Sequence, residues 1–170
     1  MASFDLFGAN LRKKFIFAQN LKIMIQRIQS VYLFIAALLV GFLVLFPYAE
    51  IAKDGVVYVS NIKGITLDGA SKASGIFVTV LIGAILVLHG YAILSFKNRK
   101  SQIRLVAICI LLIICLCGLF SYYTYGSFSG ALISLKISMA FPLIAIILDY
   151  LAIRAIGKDE ALIRSIDRIR

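Results

Sequence analysis

Long runs without charge, separated by short polar or basic segments, set the pattern of this chain. From Ile28 to Ala49 there is no charged residue for 22 positions. At about 1.5 Å per residue such a helix reaches roughly 33 Å, enough for a ~30 Å hydrocarbon core. A second run, Ala73 to Phe96, holds 24 uncharged residues with His89 inside it. A third starts at Leu105 and stays apolar to about Tyr123, where Tyr122, Tyr123 and Tyr125 form an aromatic cluster suited to an interface. In the fourth, Lys136 and Asp149 leave 12 charge-free residues between them, which alone suggests a short buried or re-entrant segment. Starting instead at Gly130 and ending at Ile153 gives a full span of about 36 Å, with Lys136 near enough to one end to snorkel. The pattern predicts an all-α bundle of four transmembrane helices, spans about 28–48, 75–96, 105–123 and 130–153.

The connections are short. Between residues 49 and 74, Val56–Val59 and Ile65–Leu67 favour strands and predict a small extracytoplasmic β-hairpin, which needs the helix ends for support because a lone hairpin is marginal in water. K-N-R-K-S-Q-I-R, residues 97–104, predicts a tight basic turn between antiparallel helices. Residues 1–27 form a basic leader, read either as a helix on an anionic membrane surface or as an irregular extension, with Met24 a second candidate start. Residues 154–170 predict a short amphipathic helix after a break at Gly157, its Glu160 and Arg164 paired at i,i+4. The first apolar run is too long for a usual signal-peptide core and no A-x-A site follows it.

Composition sharpens the class. With 62% apolar and 15% charged residues, the chain has more apolar surface than 170 residues can hide in a water-soluble core, so lipid is the expected solvent. The net charge of +10 lies in short blocks between apolar runs and forms no continuous basic face, which argues against nucleic acid as a partner. Fourteen Lys and Arg fall in the leader, the 97–104 turn and the tail, against four in the other two connections. The positive-inside bias then places both termini in the cytoplasm, facing anionic lipids.

Two end motifs carry a family likeness. M-I-Q-R-I-Q-S-V-Y-L at Met24–Leu33 and K-D-E-A-L-I-R-S-I-D-R-I-R at Lys158–Arg170 resemble the opening and closing signatures of an uncharacterised family of four-helix membrane proteins from Bacteroidota, a domain of unknown function. The resemblance covers residues 24–170. It implies a bacterial inner-membrane location and four spans, and it lends no activity, cofactor or catalytic residue.

Candidate chemistry is sparse. Cys109, Cys115 and Cys117 form no C-x-x-C pair and have no neighbouring His, so they read as small packing residues and no metal site is expected. No Gly-rich phosphate loop, nucleophile elbow or H-E-x-x-H set occurs, and the single His excludes a bis-His haem within one subunit. No cofactor is expected, and no catalytic residue is assigned. A carboxylate inside a span costs several kcal/mol, so Asp149 is expected to face protein or water. Ser138, Pro142, Ala145, Asp149 and Ala152 recur at spacings of 4, 3, 4 and 3 and predict one small, polar stripe facing the bundle. His89 and Asp149 count to depths of about 12 and 7.5 Å from the cytoplasmic ends of their spans, within side-chain reach of each other. Two alternatives follow: a proton-handling or ligand-binding pair, or two separate groups, with Asp149 meeting Arg154, Lys97 or water and His89 a carbonyl. Gly83 and Gly90, seven apart with Thr79 on the same face, predict close helix packing.

The leading functional expectation is a non-enzymatic accessory or scaffold subunit of a larger inner-membrane assembly, bound to other membrane subunits. The rival is a small transporter or proton-coupled carrier using Asp149 and His89. An even number of crossings is directly testable: with single cysteines in a cysteine-free background, impermeant thiol labelling is expected to find positions 100 and 170 on the same face of the cell membrane.

Overall fold

The computed structural model describes residues 28–67, 70–96, 98–126 and 130–167. The leader (residues 1–27), the last three residues and Lys97 lie outside that set, as do the side chains of residues 162–167 and with them the expected Glu160–Arg164 pair. Four helices and a five-stranded antiparallel sheet are found among the described residues: α1 (Ile28–Phe42), β1 (Ala49–Lys53), β2 (Val56–Asn61), β3 (Gly64–Leu67), β4 (Ala70–Ser74), α2 (Ile76–Leu94), α3 (Arg99–Ser121), β5 (Leu132–Leu135) and α4 (Phe141–Asp167). A π-helical turn, Tyr122–Gly126, extends α3, and a 3-10 turn, Ile137–Ala140, leads into α4. Among the described residues three stretches are long and apolar enough to cross a membrane, Ile76–Leu94, Arg99–Gly126 and Ile137–Ala161, while α1 ends at Phe42 and is shorter than the span expected over 28–48.

The helices run up and down, and their buried positions share one spacing. In α1 these are Gln29, Leu33, Ala36, Val40, with Leu43 just beyond; in α2 Val78, Ile82, Ile85, His89, Ala92; in α3 Gln102, Val106, Cys109, Ile113, Leu116, Phe120. In α4 and the turn before it they are Ser138, Pro142, Ala145, Asp149, Ala152, Ile156 and Asp159. Steps of 4 and 3 alternate throughout, an average of 3.5, the period at which helices pack in layers with a slight left-handed supercoil. The core accordingly falls into layers, one of which contains Leu33, Ala92, Val106 and Ala152.

The sheet closes the end of the bundle reached by the α1–α2 and α3–α4 connections. Its order is β4-β3-β2-β1-β5, so the strand nearest α4 in sequence pairs with the strand that follows α1. Ala49 lies opposite Leu135 and Ile51 opposite Ile133. Side chains from α2, from α3 and its π-helical turn, and from the turn before α4 are tied to the sheet end. Tyr48 stacks on Phe120 with ring centroids 4.1 Å apart, and the Tyr123 hydroxyl donates to the Ser74 carbonyl at 2.9 Å. The Thr79 hydroxyl donates to the Ile62 carbonyl at 2.8 Å, and Ser138 Oγ to the Pro47 carbonyl.

Several expectations need correcting. The fold is not all-α: the two expected hairpin strands, β2 and β3, are joined by β1 and β4 from the same connection and by β5, which begins 79 residues after the end of β1 (132 − 53). The fourth span does not begin at Gly130, since Leu132–Leu135 is extended and the helical segment starts at Ile137. Most of the 97–104 turn is the first part of α3, with the Asn98 side chain accepting from the Ser101 N–H. No break occurs at Gly157: α4 continues to Asp167, a glycine inside a packed helix costing only about 1 kcal/mol. Gly83 and Gly90 do not mediate close packing between the helices of this chain, for both are exposed and nothing lies within 4 Å of where a Cβ would stand.

The tight glycines are elsewhere. Gly64 has φ +107°, and a Cβ there would enter the Ala73 carbonyl oxygen, while one on Gly75 would strike the Gly64 nitrogen and the Ile62 oxygen. Gly64→Ala is therefore expected to cost about 2 kcal/mol or more. Gly83→Ala, in open space on a helix, is expected to be neutral or to stabilise by up to about 1 kcal/mol. Thermal unfolding of the two purified variants checks the contrast.

Candidate functional site

α2 and α4 bring their one imidazole and one mid-helix carboxylate together. His89 Nε2 lies 3.1 Å from Asp149 Oδ1 and 3.2 Å from Oδ2, and both side chains are fully inaccessible to a water-sized probe. The other ring nitrogen, Nδ1, is 3.0 Å from the Ile85 carbonyl one turn back on the same helix. A carbonyl oxygen only accepts, so Nδ1 carries a hydrogen and donates it. The contact between Nε2 and the carboxyl group then needs one proton of its own, since two lone pairs at 3.1 Å would repel. Whether that proton is written on the ring or on the acid, the pair has no net charge. It therefore leaves no lone ion in the apolar interior, the condition that makes burying such groups tolerable.

The pair belongs to a polar layer. The thiol of Cys109 on α3 is fully buried as well, at the position of the 4-3 repeat between Val106 and Ile113. On one side lies the apolar layer of Leu33, Ala92, Val106 and Ala152, and on the other the main cluster begins, with Ile85, Ile113 and Ala145 all fully buried. The expected stripe is the bundle-facing side of α4: Ser138, Pro142, Ala145, Asp149 and Ala152 are buried, while Leu143, Ile144 and Ile147 are exposed. Ser138 sits at the sheet end, bonded to Pro47, and so is not part of the layer around Asp149. Arg154, one suggested partner of Asp149, is exposed.

A second polar cluster, which the sequence reading did not single out, occupies the end of the bundle opposite the sheet. Arg99 at the start of α3 forms an ion pair with Asp159 on α4, whose side chain is 4% accessible. Gln29 on α1 and Gln102 on α3 are buried at the same end, and Gln29 Nε2 has no hydrogen-bond partner among the described residues. The signal was available: extending the 4-3 stripe beyond Ala152 gives Ile156 and then Asp159. The assumed break at Gly157 hid it. No group of three or more His, Cys, Asp or Glu side chains placed to hold a metal ion is found among the described residues.

Residues 25–169 match the family described as Domain of unknown function (DUF4293). The match takes in most of the 170 residues, and the chain belongs to that family. No curated protein matches it.

Breaking the pair from one side should be far worse than removing it whole. Asp149→Leu alone is expected to destabilise the protein by about 3–5 kcal/mol, because the imidazole is left buried without its partner. His89→Leu together with Asp149→Leu is expected to recover most of that loss. Unfolding of the two single variants and the double variant measures the coupling; strictly additive losses would mean that the contact contributes nothing.

Proposed function

We propose that this DUF4293 member is a non-enzymatic integral protein of a bacterial inner membrane, an accessory or scaffold subunit of a larger membrane assembly, with both termini in the cytoplasm. Support for the membrane comes from the outward surfaces of the helices. Phe77, Val80, Val87, Leu111, Ile114 and Ile147 are all more than half exposed, an apolar surface suited to lipid and not to water. The basic residues Arg99, Lys100, Arg104, Arg154 and Lys158 all fall at the end away from the sheet, as the positive-inside rule asks of a cytoplasmic face.

The observation that carries the non-enzymatic reading is the sealed core. Its one reactive pair has no surface open to a water-sized probe and lies between apolar layers, so a substrate has no route to it in this conformation. A polar layer inside an apolar bundle has a well-attested use in fixing which helices pair and in what register. In its favour the carrier reading has the 3.1 Å contact between His89 and Asp149, which is what a proton relay needs. Against it stands the packed stripe between Ser138 and Asp149, where that reading calls for a polar cavity.

Gentle-detergent purification of the tagged full chain followed by mass spectrometry is expected to return an enriched membrane partner at near-equal amount. A lone monomer would overturn the subunit reading. Loss of a proton-linked activity in Asp149→Asn, with expression and folding intact, would establish the carrier instead.

A further inference from the structure

A cleft of about 360 Å³ opens beside the sheet, between the end of α1 and the start of α4. Phe46, Pro47, Ile137 and Phe141 make its apolar walls, and Glu50, Lys136 and Ser138 supply its polar lining. Two bonds hold the walls: Ser138 Oγ to the Pro47 carbonyl, and the Lys136 N–H to the Tyr48 carbonyl at 3.0 Å. The volume lies in the range of small-ligand sites. At its edge Lys136 Nζ and Glu50 Oε2 pair at 2.8 Å, with side chains 40% and 35% accessible. The surroundings are apolar and open: Leu45 is 72% exposed and Ile137 84%.

This combination is an amphiphile's complement. The apolar walls offer contact to a hydrocarbon chain, and the pair at the rim presents one cation and one anion side by side. We infer that the cleft binds a phospholipid whose headgroup carries both a phosphate and a primary ammonium, the phosphate against Lys136, the ammonium against Glu50 and part of an acyl chain along Phe46, Ile137 and Phe141. Such a headgroup exchanges one half-exposed ion pair for two, and neither protein charge is left alone. An anionic headgroup satisfies Lys136 but meets the Glu50 carboxylate with a like charge, so the cleft discriminates between the two lipid classes. This inference rests on the membrane reading and is independent of the subunit role.

The chain contains no tryptophan, so a single introduced indole reports alone. The reporters are Phe46→Trp in the cleft and Leu143→Trp on the exposed face of α4, in the full-length protein reconstituted into phosphatidylcholine vesicles. A small fraction of brominated phosphatidylethanolamine or brominated phosphatidylglycerol serves as quencher. The Phe46→Trp reporter is expected to be quenched about threefold more effectively by the ethanolamine lipid, the scale a half-exposed ion pair supports. The Leu143→Trp reporter is expected to show no preference. Adding Glu50→Gln or Lys136→Gln should abolish the preference, and Lys136→Arg should keep it. Equal quenching of Phe46→Trp by both lipids, matching the control, means annular lipid only and overturns the site. Absence of quenching at Leu143→Trp overturns the membrane reading beneath it.

Discussion

The contact between His89 and Asp149 ties α2 to α4 at the one mid-core layer where sliding the helices past each other carries a large penalty. The layers around it are built from Leu, Ile, Val and Ala. Such side chains are nearly interchangeable, and a slip by one helical turn of about 5.4 Å would still set apolar against apolar. The pair removes that freedom, since any slip takes the carboxyl group from its only described partner and leaves it in an apolar layer. In lipid this matters more than in water, because the hydrophobic effect does not drive one helix against another there. The Ile85 carbonyl adds a further constraint by fixing which ring nitrogen faces α4.

Beyond that layer the two ends of the bundle are closed by different means. At one end the Arg99–Asp159 ion pair joins the start of α3 to the far part of α4. At the other, backbone pairing takes over: β5 lies against β1, so the α3–α4 connection is hydrogen-bonded to the chain leaving α1. Side-chain donors from α2, from the turn after α3 and from the turn before α4 all end on main-chain carbonyls of the segment between α1 and α2. The sheet is thus a clamp across four helix ends. Its tightness is set where Gly64 and Gly75 let two backbones approach more closely than any side chain would allow.

The placement of polar groups bears on function more than the fold does, since helical bundles host many unrelated roles. The His89–Asp149 pair of the core is sealed, while Glu50, Lys136 and Ser138 line the open sheet-end cleft. That division is the ground for the proposed subunit reading over a carrier, whose ionisable groups must alternate between open faces.

How much was legible in the residues depended on the range of the interaction. Apolar runs, basic blocks and the 4-3 stripe from Ser138 to Ala152 are local signals, and they were enough for the number of helices, the inward face of α4 and the reach between His89 and Asp149, though not for where α1 ends or α4 begins. What the periodicity left open was contact, because two residues 60 positions apart meet only if their helices face each other across the core. The strand β5 was hidden for the same reason: L-I-S-L is as apolar as the helix it precedes, and only pairing with the distant strand β1 makes it extended. Gly83 and Gly90 failed as packing signals since a glycine permits close approach without requiring it, whereas Gly64 and Gly75 are required by a pairing that brings residues 64 and 74 face to face. Periodicity along one helix settles which way a side chain points; the tertiary structure alone decides what stands opposite, because that depends on the whole path of the chain between.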